Sequence, residues 1–385
     1  MRVDIVPESF RVALDLRGVS HSEGGHRRLI NLVRELDALP SPLEFDLISN
    51  PCHEIDSHSW SIRTHTISPR LRTRMMHHPG VGSLRKVLWG KTRIMHFLTG
   101  DIWYSPTSRT VVTIHDLAPL HFPEFSFASK AEEQKYHRHL KLIIEKADVI
   151  HAVSEHTLKD LKQHFPHGAA KFRLIHPAPD PFFMPEDWGL EDRALFRYNI
   201  GSPRGFLLSV GGFNGWKNPG FLLEAYHHYR KGQKDPRKLV IAGDPHKPYP
   251  GLPTLYEAVC RLNLQQDVIL LGRVSDSFLR KVYCSASLFL YPSKLDGFGY
   301  SVLEAMACGC PVLCSNETAL PETVGEAAQQ LPVSDPQMWA DAIPPLLTNR
   351  AARVELVEKG FQQAAGYDWK ATAEQVLQIY LDLLK

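Results

Sequence analysis

The stretch SLFLYPSKLDGFGYSVLEAMACGCPVLCS, residues 287–315, contains an apolar run, a glycine-containing loop, a helical pattern and a second apolar run. Short apolar runs that alternate with helical patterns are typical of parallel strands whose two faces are both buried. The stretch therefore predicts a strand–helix–strand unit of a parallel sheet.

The same alternation continues along the chain in two series, with helical candidates such as 27–36, 219–231 and 276–286 between the apolar runs. Two series of five or six strands predict two doubly wound α/β domains that face a cleft. The predicted strands of the first series are 11–16, 45–49, 101–106, 111–116, 148–154 and 172–177. Those of the second series are 206–212, 238–244, 267–272, 287–293 and 311–315.

A proline-rich stretch, HPAPDPFFMPEDWG at 176–189, separates the two series and indicates an extended crossing between domains. We predict an N-terminal domain over 1–180, a linker over 181–202 and a C-terminal domain over 203–365. The last residues carry a capped amphipathic helical pattern, and we expect the segment 366–385 to pack back on the N-terminal domain.

Composition excludes several classes of protein. The chain has 385 residues and a formal net charge of +2, so any basic surface is local. No stretch approaches the length of a membrane span, and the N-terminus lacks the apolar region of a signal peptide. We therefore expect a cytoplasmic protein with reduced thiols. The run CGCPVLC lacks a second Cys or His pair, which favours a helix end and a buried strand over a zinc site.

Polar residues and glycines cluster in the loop of the opening stretch. Gly297 and Gly299 allow backbone amides to approach a ligand, and a helix that begins at Ser301 offers unpaired N–H groups to a phosphate or sugar. Two acids, Asp296 and Glu304, flank this loop. The alternative to ligand binding is a structural role for each acid. Glu304 fits a capping box with Ser301, and Asp296 is a common residue in turns.

Three further places follow predicted strands. Lys217 precedes a helix that starts at Asn218-Pro219, where a cation and amides suit a pyrophosphate; the alternative is a solvated surface lysine. His115 stands at the end of a strand, where an imidazole reaches a cleft. Gly24 and Gly25 follow the first strand, although they lack the full dinucleotide-binding fingerprint.

Six ordered segments together resemble the retaining glycosyltransferases of family 4, which have the two-Rossmann-domain fold called GT-B. The segments are SEGGHRRLINLVREL, VVTIHDLAPLHFPE, ADVIHAVSEHTLKDL, GGFNGWKNPGFLLEAY, LGRVSDSFLRKVYCSASLFLYPS and DGFGYSVLEAMACGCPVLCSNETALPETVGEAA. They extend over nearly the whole chain, and the last one has the two-acid spacing of that family.

The resemblance implies a role for each matching position. Asp296 and the amides of residues 297–299 would hold the donor sugar, Glu304 the ribose and Lys217 the departing pyrophosphate. His115 would contact the donor sugar. It implies retention without a carboxylate nucleophile. Because no Asp-x-Asp follows a strand, we expect no metal and no other cofactor. The further positions implied to bind donor are Gly24, Gly25, Gly212, Asn218, Arg273, Val274, Gly297, Phe298, Gly299, Tyr300 and Ser301.

Two departures from the family pattern bear on the donor. Asp296 stands where the family usually has Glu, and Gly212 stands where a cation often precedes the lysine. The resemblance is greatest to bacterial mannosyl- and rhamnosyltransferases of surface polysaccharide assembly. It favours GDP-mannose and leaves UDP-glucose, UDP-N-acetylglucosamine and dTDP-rhamnose open. A non-catalytic carbohydrate- or membrane-binding protein is the alternative from another class.

A basic segment, residues 57–100, contains no Asp or Glu and interleaves cations with apolar side chains. Such a pattern suggests a peripheral site for an anionic membrane surface, which would suit a lipid-linked glycan acceptor. The alternative is a solvated loop and helix. No nucleic-acid-binding module accompanies the segment. The cations assigned to this surface are Arg70, Arg72, Arg74, Arg85 and Lys86.

Overall fold

The computed structural model describes residues 10–15, 23–49, 63–66, 92–99, 108–186, 205–211, 214–244 and 254–385. The chain forms two compact units. The first unit comprises Met1–His115, Lys135–Pro177 and Asp368–Lys385, and the second comprises Asp116–Gln134 and Ala178–Tyr367.

The described part of the first unit contains a parallel sheet in the order β3-β2-β1-β4-β5-β6-β7. Its strands are β1 (Phe10–Asp15), β2 (Leu43–Ser49), β3 (Arg63–Thr66), β4 (Thr92–Phe97), β5 (Arg109–Ile114), β6 (Val149–Ala152) and β7 (Phe172–Leu174). Its helices include α1 (Glu23–Ala38), most of α4 (Lys130–Lys146), α5 (Glu155–His164) and the last helix, α13 (Trp369–Leu384).

The described part of the second unit contains a parallel sheet in the order β10-β9-β8-β11-β12-β13. Its strands are β8 (Leu207–Val210), β9 (Leu239–Ala242), β10 (Val268–Gly272), β11 (Leu288–Tyr291), β12 (Val312–Ser315) and β13 (Gln329–Leu331). Its helices include α2 (Ala118–His121), α3 (Pro123–Ser126), α6 (Pro219–Lys231), α7 (Leu255–Arg261), α8 (Asp276–Ser285), α9 (Tyr300–Ala307), α10 (Leu320–Val324), α11 (Pro336–Thr348) and α12 (Arg350–Ala365).

Both sheets share one topology, because each begins in its centre, winds to one edge and then returns to the other side. The order of the strands reverses between β1 and β4 in the first unit, and between β8 and β11 in the second. Ligands of open parallel sheets bind beyond the carboxyl ends of the strands at this reversal. The topology confirms two doubly wound domains and marks one candidate edge in each unit.

Most predicted strands are confirmed, but the sequence did not predict β3, β4 and β13. The central strand β4 has the sequence TRIMHF, in which an exposed Arg93 and a buried His96 interrupt the apolar run. This strand lies inside the basic segment 57–100, so that segment is not one amphipathic surface element. The predicted strand 101–106 lies outside the described residues.

The segment Asp116–Gln134 belongs to the second unit, although it lies within the predicted N-terminal domain. An aromatic cluster holds it there. The ring of Phe122 stacks on that of Trp216 at 6.2 Å between centroids, and it also stacks on Phe125. Gly215 allows this packing, because a Cβ at that position would lie 2.2 Å from Cδ2 of Phe125.

The C-terminal helix α13 packs with the first unit against α1. Its N-terminus is capped by Asp368, whose carboxylate accepts a hydrogen bond from the amide of Ala371 at 3.1 Å. The hydroxyl of Thr372 donates to the carbonyl of His176 at 2.7 Å. In the parts of the chain that the structure describes, no helix has the length and apolar character needed to cross a bilayer.

A buried chain of hydrogen bonds connects α13 to the first sheet. Nε2–H of His151 donates to the carbonyl of Ile175 at 2.7 Å, which leaves Nδ1 of His151 to accept from the hydroxyl of Thr113 at 3.2 Å. The Thr113 oxygen in turn accepts from Nε2–H of His96 at 2.9 Å. Nδ1 of His96 therefore accepts from Tyr380 at 2.6 Å. Both imidazoles are neutral in this chain, because Nδ1 of each ring accepts a hydrogen bond.

The pKa values of the two histidines agree with this arrangement. Burial lowers the pKa of His151 to about 4, and burial followed by repulsion from His151 lowers the pKa of His96 well below its usual value. The unfolded chain therefore binds more protons than the folded chain from about pH 6.5 downwards. The stability of the first unit must decrease as the pH falls through this window.

We predict that the free energy of unfolding decreases by about 3 kcal/mol for His151 alone between pH 6.5 and pH 4. Urea unfolding followed at several pH values measures this slope. A His151→Gln variant should be less stable at pH 7.5 but should show a shallower slope, because it has no imidazole at that position to protonate. Equal slopes in the two proteins would contradict the assignment.

Candidate functional site

Lys217 and Asp296 meet at the strand reversal of the second sheet. Lys217 ends a 3₁₀ turn, Gly215–Lys217, in the connection that follows β8, and Asp296 lies in the loop after β11. The Lys217 ammonium donates to the Asp296 carboxylate at 2.7 Å and to the hydroxyl of Tyr291 at 2.9 Å. The sequence predicted both residues but not their contact, and it missed Tyr291.

The environment of this ion pair keeps Lys217 charged. The Lys217 side chain is 20 % exposed and that of Asp296 is 11 % exposed, so Lys217 is not a solvated surface lysine. Burial alone would lower the pKa of Lys217, but the Asp296 carboxylate and Tyr291 outweigh it and raise that pKa above its usual value. Burial and then Asp296 raise the pKa of Tyr291. A protonated ammonium group is therefore held at the edge where a ligand would bind.

Backbone contacts hold the two loops together. The amide of Lys294 donates to the carbonyl of Trp216 at 2.7 Å, which joins the loop after β11 to the turn that carries Lys217. The amide of Asp296 donates to the hydroxyl of Thr318 at 3.0 Å. The hydroxyl of Thr323 donates to the carbonyl of Phe298. These contacts fix the position of Asp296 before any ligand arrives.

Glu304 does not form the capping box that its sequence suggested. Helix α9 begins at Tyr300 rather than at Ser301, Gly299 occupies the cap position, and no side chain caps the helix. Glu304 therefore lies in the second turn, where it is 2 % exposed and accepts a hydrogen bond from the hydroxyl of Tyr283 at 3.3 Å. The capping alternative is excluded, and Glu304 is a buried carboxylate beside the same loop.

The remaining predicted residues of the second unit differ in their surroundings. Asn218 occupies the cap position of α6, as the sequence predicted, but its backbone is left-handed and its side chain makes no capping bond. Its Nδ2 is buried without a hydrogen-bond partner, as is Oδ1 of Asn214. Arg273 follows β10 with Nε 3.7 Å from the Asp244 carboxylate, and Val274 comes next. Gly212 lies outside the described residues.

The loop of the opening stretch continues into the first turn of α9. Gly297, Phe298 and Gly299 are buried, whereas Tyr300 and Ser301 are half-buried. The ring of Phe298 packs edge-on against Tyr300 and Tyr367, with centroids 5.0 and 5.1 Å away. The loop is therefore a packed element.

The predicted residues of the first unit also follow its strands. His115 comes directly after β5, and its Nε2 donates to the carbonyl of Leu98 at 3.1 Å, which leaves Nδ1 as an acceptor. Gly24 and Gly25 lie in the first turn of α1, the helix that follows β1. The predicted acceptor and membrane residues, Arg70, Arg72, Arg74, Arg85 and Lys86, lie outside the described residues.

The chain resembles known proteins in both sequence and fold. The family model for glycosyl transferases group 1 matches residues 191–363, which include Lys217, Asp296 and Glu304. Over these residues, which lie within the second unit, the chain is similar to group 1 glycosyltransferases. The chain is also similar to an O-antigen chain mannosyltransferase B of Escherichia coli, with 28 % identity over 285 residues, or 73 % of each chain.

Two further proteins resemble the chain, one in sequence and one in fold. A D-inositol 3-phosphate glycosyltransferase of Corynebacterium glutamicum is 25 % identical over 292 residues, which cover 75 % of this chain and 69 % of the relative. The solved structure of HepE from Anabaena with UDP and glucose superposes with a TM-score of 0.74 at 13 % identity. The match covers 97 % of this chain and all of HepE, and it shows that the fold is GT-B.

We predict that Gly299→Ala destabilises the second unit. Gly299 has φ of +87°, and a Cβ there would lie 2.8 Å from Cδ2 of Leu320. The left-handed conformation alone costs an Ala about 1–2 kcal/mol. Thermal unfolding of Gly220→Ala is the matched control, because a Cβ at Gly220 meets nothing within 4 Å. An equal melting temperature for the two variants would contradict the constraint at Gly299.

Proposed function

We propose that the protein is a glycosyltransferase that moves mannose from GDP-mannose to a glycan or lipid-linked glycan during assembly of a surface polysaccharide. The observation that carries the proposal is the contact of Lys217 with Asp296 at the strand reversal of the second sheet. The name of the O-antigen mannosyltransferase supports the choice of sugar and pathway class.

Lys217 is the proposed partner of the donor diphosphate. The ammonium can exchange the carboxylate for phosphate oxygens, so that Lys217 stays paired with an anion when the diphosphate binds. Asp296 is then available to accept hydrogen bonds from the hexose hydroxyls. Asp296 stands where the family usually has Glu, and its side chain is one methylene shorter. We infer that the direct ion pair with Lys217 results from this difference.

The proposed reaction retains the configuration at the anomeric carbon. The bond from C1 to the phosphate oxygen breaks, and its electron pair stays on the departing GDP. The acceptor hydroxyl forms the new bond on the face that the diphosphate leaves, and its proton passes to the departing phosphate oxygen. Lys217 stabilises the negative charge that develops on the diphosphate, which is the largest contribution expected from such a site. The proposal assigns no metal, since Lys217 supplies that positive charge.

The proposed acceptor is reached at an anionic membrane surface. The basic segment 57–100 is the reason for proposing a membrane surface. Residues 92–97 are excluded from that surface, because they form the largely buried strand β4. Binding to vesicles of neutral lipid, with and without phosphatidylglycerol, tests the segment through the variant with Arg70, Arg72 and Arg74 changed to Gln. Equal binding of the variant and the wild-type protein to the anionic vesicles would contradict a membrane role for these cations.

Sugar transfer identifies the donor. The purified protein is incubated with a bacterial membrane lipid extract and with GDP-mannose, UDP-glucose, UDP-N-acetylglucosamine or dTDP-rhamnose, each labelled in the sugar. We expect labelled lipid from GDP-mannose alone. Label from another donor would replace the sugar in the proposal. Absence of transfer, of donor hydrolysis and of nucleotide binding would instead favour a non-catalytic carbohydrate-binding protein.

We predict that Lys217→Met lowers kcat for transfer about 10²- to 10³-fold, the size seen when one donor to a developing oxyanion is lost. Steady-state rates at saturating donor measure the change. Lys231→Met is the matched control, because Lys231 ends α6 with an exposed side chain. A Lys217→Met enzyme with a normal kcat and a normal fold would exclude the proposed role of Lys217.

A further inference from the structure

Tyr283 is a buried tyrosine that the sequence did not single out. It lies near the end of α8, has 0 % exposure and donates its hydroxyl hydrogen to Oε2 of Glu304 at 3.3 Å. Glu304 itself is 2 % exposed. A carboxylate oxygen withdrawn from water needs such a donor, because an unsatisfied buried charge is costly. The contact therefore ties the position of one Glu304 oxygen to the position of the Tyr283 ring.

Packing fixes the Tyr283 ring on two sides. The ring of Phe183 meets it edge-on, with centroids 5.7 Å apart and an interplanar angle of 88°. The ring of Phe289, in the central strand β11, lies 5.7 Å away at 65°. Edge-to-face pairs of this geometry are favourable and orient both rings. The hydroxyl of Tyr283 is thus aimed at Glu304 by the fold.

Phe183 is itself anchored by a clamp around Arg280, one turn before Tyr283 in α8. Nε of Arg280 donates to the carbonyl of Met184 at 3.0 Å, and Nη2 forms an ion pair with Glu186 at 3.0 Å. The guanidinium also lies over the ring of Phe182 at 5.3 Å. These contacts hold the chain on α8 just after it enters the second unit at Ala178. The position of Tyr283 therefore depends on the segment 182–186 as well as on the sheet.

We propose that Tyr283 is a positioning residue that orients the Glu304 carboxylate toward the ribose hydroxyls of the nucleotide. The inference rests on the proposed function and on the ribose role that the family resemblance implies for Glu304. Tyr283 acts through Glu304 and touches no substrate. Removal of its hydroxyl takes away one hydrogen bond that orients the carboxylate. The effect must appear in binding of the ribose and must be absent when the ribose has no 2′ and 3′ hydroxyls.

The test compares GDP with 2′,3′-dideoxy-GDP by titration calorimetry. We expect the wild-type protein to bind GDP more tightly than the dideoxy nucleotide. Tyr283→Phe should weaken GDP binding about three- to tenfold, the loss expected for one hydrogen bond, with no change for dideoxy-GDP. In a Glu304→Gln background, Tyr283→Phe should have no further effect on either nucleotide.

Tyr226→Phe controls for the loss of a buried hydroxyl, because Tyr226 is 0 % exposed and donates to the carbonyls of Arg237 and Asp267. It should leave the preference for GDP unchanged. One outcome would overturn the inference on Tyr283 but keep the ribose role of Glu304. In that outcome the wild-type protein prefers GDP, Glu304→Gln abolishes the preference and Tyr283→Phe leaves it intact. Equal binding of the two nucleotides by the wild-type protein, or no binding of either, would overturn the ribose role of Glu304 and the inference with it.

Discussion

The ion pair between Lys217 and Asp296 joins the two chain segments that border the strand reversal of the second sheet. Both groups are largely withdrawn from water, and each would be costly there without the other. The pair places a fixed positive charge and an acceptor carboxylate within one hydrogen bond of each other. A nucleotide diphosphate and a hexose require that combination, so one contact organises both halves of the proposed donor site.

The surrounding residues hold Lys217 and Asp296 in contact. The aromatic cluster around Phe122 and Trp216 covers the turn that ends at Lys217. On the other side, the hydroxyl of Thr318 binds the amide of Asp296, and the left-handed conformation of Gly299 turns the chain into α9. These supports all belong to the second unit.

The sequence predicted those parts of the fold and site that local patterns encode. Apolar strands such as 207–210 and the helix start at Pro219 were visible, because their neighbours in the sequence determine them. Local patterns also singled out Lys217, Asp296 and Glu304, and the family resemblance added a role for each. The central strand β4 was missed because His96 is buried by a hydrogen-bonded chain to Tyr380, 284 residues later. The partners Tyr283 and Tyr291 were missed for the same reason, since their contacts are long-range.

A crystal structure of the second unit's donor site with GDP-mannose bound tests the central claim most directly. The account predicts that the Lys217 ammonium lies within hydrogen-bond distance of the diphosphate and that the Asp296 carboxylate has turned to the hexose. A diphosphate bound elsewhere, with the contact of Lys217 and Asp296 unchanged, would show that this ion pair is structural and would contradict the account.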